Sequence, residues 1–126
     1  MARVTTLPAM LRPMMGKPSV KTPFCAVCGR PAPLNEHHVV RRGAGRMYDE
    51  DGRELQKPTI TLCGFGNVLK DADGRTYCHG LAHAGRLHFR WAEGGGRACG
   101  GRWEYLATEE PCSYLDALEK KGWKRI

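Results

Sequence analysis

A small α+β domain stapled by a metal ion is the fold class this sequence predicts, and three observations carry the prediction. The chain has 126 residues and is only 41% apolar, so its core is modest and a staple adds much to its stability. Short apolar runs alternate with Asp-Gly and Gly-rich turns, the pattern of hairpins and short helices. Four of the six cysteines stand at turns or element ends, where one tetrahedral ion can gather them.

The first 23 residues read as a flexible Pro-rich arm, punctuated by Pro8, Pro13, Pro18 and Pro23. Its charges, among them Lys17 and Lys21, are all basic. It is either an arm lying on phosphates or a solvated tail. One folded domain is expected over 24–126. Cys25-Ala26-Val27-Cys28-Gly29 forms a tight turn, and residues 37–42 a short strand. Asp51-Gly52 centres a turn, and Thr59–Leu62 is a strand. Asp73-Gly74 marks a hairpin within 67–77. Residues 78–84 read as a short helix ended by Gly85. Strands near 87–92 and 102–106 flank Gly94-Gly95-Gly96. Residues 111–121 read as a terminal helix with Tyr114, Leu115 and Leu118 on its apolar face.

Lys and Arg number 20 against 13 Asp and Glu, a net charge of +7. That balance favours a polyanionic partner. No apolar run approaches membrane-spanning length, and Pro8, Arg12 and Pro13 interrupt any signal-like core, so a cytoplasmic, non-membrane protein is expected. In a reducing compartment, cysteines at such spacing point to metal more than to disulfides.

Cys25-x2-Cys28-Gly29 lets two thiolates reach one ion from a single turn. Cys63, at the end of a strand, and Cys78, opening a helix, are the natural second pair. Together they make a structural zinc site; the alternative is two disulfides or scattered buried thiols. Cys99 and Cys112 receive no role. His79 and His83, at i and i+4, share one helix face and can bind one metal. Adjacent His37 and His38 point to opposite faces of a strand, unless the strand bends at its end. His88 is set aside as a strand residue.

Three segments together resemble the HNH nucleases, closest to small phage-encoded members with a Cys-x2-Cys knuckle. They are Glu36-His37-His38-Val39-Val40-Arg41-Arg42-Gly43-Ala44-Gly45, Leu62-Cys63-Gly64 and Cys78-His79-Gly80-Leu81-Ala82-His83. The resemblance covers residues 25–88. It implies a ββα-metal (His-Me finger) domain with added hairpins and a C-terminal helix. His38 would be the general base, and His37, His79 and His83 the ligands of a catalytic divalent metal. Cys25, Cys28, Cys63 and Cys78 would hold structural zinc. Three imidazoles suit Zn, Ni, Co or Mn better than Mg. Arg41 and Arg42, one on each strand face, would clamp phosphate or serve as ordinary strand-edge charge. The family places an Asn a few residues before the cysteine that ends the second strand. Here that place falls on Lys57-Pro58, and Asn67 is the only Asn nearby.

The expected activity is hydrolysis of phosphodiester bonds in DNA, with double-stranded DNA as the partner. Phage-type members imply genome processing or packaging beside a terminase. The competing readings are a non-catalytic zinc-ribbon module that binds nucleic acid, and a protein-interaction adaptor that uses the acidic stretch 49–54 and the terminal helix.

Overall fold

The computed structural model describes residues 4–93 and 100–126. The expected turn at Gly94-Gly95-Gly96, and Cys99, lie outside them. Two antiparallel sheets and few, short helices make up the chain. Strands β1 (Leu34–His38) and β2 (Thr59–Cys63) pair, with Leu34 opposite Cys63 and His38 opposite Thr59. Helix α1 (Cys78–His83) follows and packs on β2 and on β3 (Leu87–Ala92). Strand β3 pairs with β4 (Arg102–Ala107), and β4 with β5 (Lys124–Arg125). Helix α2 (Tyr114–Leu118) lies between β4 and β5 in the chain. No helix among the described residues is long and apolar enough to cross a membrane.

The first strand is displaced from the expected 37–42. It begins at Leu34 and stops at His38, because β2 is preceded by Pro58, whose nitrogen has no hydrogen to extend the ladder. The Val39 amide still donates to the Pro58 carbonyl at 3.3 Å. The chain then turns into a 3₁₀ segment, Arg42–Ala44. Arg41 and Arg42 are therefore not strand residues, and alternation does not assign them to opposite faces.

The N-terminal stretch differs most from expectation. Residues 4–23 are packed on the domain and are not a free arm. Leu7 and Met14 are 1% and 2% exposed, and a 3₁₀ helix runs over Ala9–Met14. Val20 adds to the free edge of β2: its amide donates to Thr59 at 2.8 Å, and the Thr61 amide donates to Val20 at 2.9 Å. The Trp103 indole donates to the Pro18 carbonyl at 2.7 Å. Prolines remove backbone donors, but Leu7, Met14, Met15 and Val20 supply the apolar area that holds the segment.

Both Asp-Gly turns form, and they are built alike. In Asp49–Arg53 and again in Asp71–Arg75, the first Asp carboxylate accepts the amides two and four residues on, at 2.8–2.9 Å. The terminal helix is shorter than expected. The Ser113 hydroxyl caps it by accepting the Asp116 amide at 3.1 Å. Starting at Tyr114, it turns Ala117 inward and leaves Leu115 57% exposed, so Leu115 is not part of its packed face.

Candidate metal centres

Two clusters of potential ligands stand on either side of the start of α1. The first joins Cys25, Cys28, Cys63 and Cys78, whose sulfurs lie within 4.8 Å of one another. The knuckle closes by a Gly29 amide bond to the Cys25 carbonyl at 2.9 Å. It is docked on β2, where the Ala26 amide donates to Thr61 at 2.9 Å. The Cys28 amide points to the Cys25 sulfur at 3.5 Å and the Cys78 amide to the Cys63 sulfur at 3.2 Å. The Cys28 and Cys63 sulfurs are 3.6 Å apart, close to the edge of about 3.8 Å of a tetrahedron with Zn–S near 2.3 Å. Gly64 makes the approach possible: at φ +117°, a Cβ there would meet that of Tyr77 at 2.8 Å. Arg30 pairs with Asp71 and lies over the Tyr77 ring at 4.6 Å, tying the knuckle to the loop before Cys78.

Three of these thiols are buried and Cys28 is exposed. A hydrogen bond from the Cys78 thiol pulls Cys25 down to about 4, and the same bond drives Cys78 strongly upward. Burial pushes Cys63 up to about 11. Thiolates this close repel one another, whereas a divalent cation would stabilise all four together. Their number, contact and chemistry fit a structural metal ion.

The second cluster joins His37 of β1 with His79 and His83 of α1, their ring nitrogens also within 4.8 Å. Ring centroids are 5.1 Å apart for His37–His79, 5.6 Å for His37–His83 and 4.6 Å for His79–His83. Burial, with His79, His83 and His38 adding, pushes His37 down to about 3. His79 is also lowered, by burial and then by His83, with the Gly66 backbone acting in the opposite sense. Both rings are neutral near pH 7, the form that ligates metal. His79 Nδ1 is buried without a close hydrogen-bond partner among the described residues. Gly80 permits this placement of α1, since a Cβ there would lie 2.1 Å from the Val68 carbonyl.

The histidine cluster opens into a cleft of about 610 Å³. His38 lines the same cleft although it neighbours His37, because β1 ends there and the alternation of faces ends with it. Arg41 and Arg42 line it too. Glu36 holds the strands together, accepting from Thr61 Oγ1 at 2.6 Å and Thr59 Oγ1 at 3.2 Å. Lys57 reaches the turn after His38: its Nζ donates to the Arg42 carbonyl at 3.3 Å. Asn67 is exposed.

Lys17 and Lys21 do not line the cleft. Lys17 lies over the Trp91 ring at 5.6 Å and Lys21 is exposed. Sequence reasoning missed Met10, Leu11, His88 and Tyr114, all of which line the cleft. His88 bonds the Gly85 carbonyl at 2.9 Å through Nε2, which also lies 3.5 Å from the Cys112 sulfur. Its position just after α1 was the only signal available, and one His gives no spacing to read.

Taken together, the fold and the two clusters define a small mixed α/β domain with a candidate structural metal centre and a second, open histidine centre. Neither family models, nor curated proteins, nor solved structures give a match to this chain, so its function is argued from these centres.

Proposed function

We propose that the chain is a metal-dependent endonuclease of the HNH type, a ββα-metal domain that hydrolyses phosphodiester bonds in DNA. The observation that carries the reading is the convergence of His37, His79 and His83 on a cleft that His38, Arg41 and Arg42 also line. The order β1, β2, α1 supports it, since β1 supplies His37 and α1, after the paired strand β2, supplies His79 and His83. Three ligands with an open side suit a catalytic ion, and four thiols closed on one another suit a structural zinc.

His37, His79 and His83 would hold the catalytic divalent ion. When bound, such an ion supplies Lewis acidity that relieves charge on the phosphoryl and leaving oxygens. His38 takes the proton of the attacking water, the part of a general base. Arg41 and Arg42 hold phosphate oxygens through charge-assisted hydrogen bonds. Lys57 keeps the turn carrying both arginines in register with His38, the bracing task the family gives to Asn.

The test is cleavage of supercoiled plasmid and of single-stranded circular DNA by protein stripped with chelator and resupplied with Zn, Mn, Ni, Co or Mg. Metal-dependent cutting that His38→Ala abolishes is the expected result. Metal-loaded protein that binds DNA and cuts neither form would instead favour the non-catalytic zinc module.

A further inference from the structure

The cleft lining is of two kinds. His37, His38, His79, His83 and His88 with Glu36, Arg41 and Arg42 are polar. Met10 and Leu11 from the 3₁₀ helix, Leu87 from β3 and Tyr114 from α2 are apolar or aromatic. Phe89 is packed beneath the metal side, with its ring 6.1 Å from that of His37. The Tyr114 hydroxyl donates to the Met14 sulfur at 3.6 Å, and its ring leans on His88 at 6.2 Å and 40°. The ring is therefore held in place at the cleft wall. Met14, in turn, is buried, so Tyr114 is anchored on the core.

A DNA duplex presents its phosphates and sugars outward and keeps its base faces stacked. Such a surface would use the histidines and arginines but gain nothing from Met10, Leu11 or Tyr114. An unpaired, unstacked base has a flat apolar face that does gain. Sites for single strands combine the same two elements, basic groups along the backbone and apolar or aromatic platforms for bases. The volume of about 610 Å³ lies within the range of about 300–1,000 Å³ that encloses molecules of nucleotide size.

Resting on the nuclease reading of the same site, we infer that the cleft takes single-stranded DNA. One unstacked base beside the scissile phosphate lies against Met10 and Tyr114, while Arg41 and Arg42 hold the phosphate. This departs from the duplex partner expected from charge alone, because charge reports phosphates and is blind to the apolar lining.

The test uses the full chain loaded with zinc and supplied with Mn²⁺. Initial cleavage rates and fluorescence anisotropy are measured on a short labelled oligonucleotide and on the same strand annealed to its complement. The single strand is expected to be cut with a kcat/KM about tenfold or more above that of the duplex. Tyr114→Ala should raise KM for the single strand by about 5- to 100-fold, the worth of a stacked base, and Tyr114→Phe should retain the preference. Met10→Ser, at a half-buried surface position, gives a second reading if Tyr114→Ala folds poorly. Equal cutting of both forms, or a preference untouched by Tyr114→Ala and Met10→Ser, would overturn the single-strand site and leave the nuclease reading standing. If neither form is cut, the nuclease reading falls and anisotropy decides the site. Single-strand binding lost in both variants supports it; binding indifferent to both overturns it.

Discussion

Cys78 and His79 are neighbours on one helix, yet they belong to clusters with opposite surroundings. The cysteine cluster is closed: four thiols touch, three of them are buried, and the knuckle, β2 and α1 all converge on them. The histidine cluster has three ligands and an open side, with His83 exposed at the mouth of a cleft. Successive residues of a helix point about 100° apart, so the N-terminal turn of α1 serves a sealed site with one residue and an accessible one with the next. The lesson is a division of labour: the closed centre holds the helix, and the helix aims the open centre.

That comparison predicts effects of very different size. Cys63→Ser should be the most damaging change. A structural zinc contributes about 10–16 kcal/mol in small zinc-stapled peptides, as much as the whole net stability of about 5–15 kcal/mol of a typical domain. The variant should lose both the metal and the cooperative thermal transition, as should the parent treated with chelator. A folded, zinc-free variant in calorimetry and metal analysis would break the comparison at its first term.

His38→Ala should leave both metal contents and the melting temperature unchanged while cleavage falls by about 10²–10⁴-fold, the usual worth of a positioned general base. Retained cleavage would remove His38 from the mechanism and make His37 the next candidate. His83→Ala tests the open centre directly. Zinc at the cysteines should stay bound, and affinity for the second ion should fall by at least the 10–100-fold, roughly, that an outer supporting partner is worth. Raising the metal concentration should restore part of the activity; titration calorimetry separates the two sites. If His83→Ala unfolds the chain, the open centre is structural after all.

The smallest expected effect belongs to Lys57→Met. It removes one hydrogen bond to the turn bearing Arg41 and Arg42. A net contribution of about 0.5–1.5 kcal/mol corresponds to a loss of about 2- to 10-fold in kcat/KM, with fold and metal content intact. No change in rate would assign the bracing of that turn elsewhere.

The members of both clusters were legible in the sequence because each half is local. A Cys-x2-Cys turn and a His pair at i, i+4 are set by backbone periodicity alone, and Cys63 and Cys78 announced themselves by ending a strand and opening a helix. The Asp-Gly turns were legible for the same reason, their geometry being set within five residues. The N-terminal stretch was not. Its prolines and lysines read as an arm, whereas Thr6, Gly16 and Val20 bond to Arg46, Gln56, Thr59 and Thr61 and Leu7 and Met14 join the core, contacts with no trace in local pattern. Leu115 was misjudged because the helix phase depends on where Ser113 caps it.

By itself, the sequence determined the chemistry available: four thiols, three imidazoles at helical and strand positions, and a surplus of positive charge. Only the tertiary structure decided how that chemistry is enclosed. Pro58 ends the β1–β2 ladder, which brings His38 into the cleft with His37. Lys57 crosses to the Arg42 carbonyl. The packed N-terminal segment and Tyr114 add an apolar lining to the cleft that holds the histidines. Ligand spacing is a local property of the backbone, but a cleft is the space left between elements distant in the chain, and its walls exist only once those elements pack.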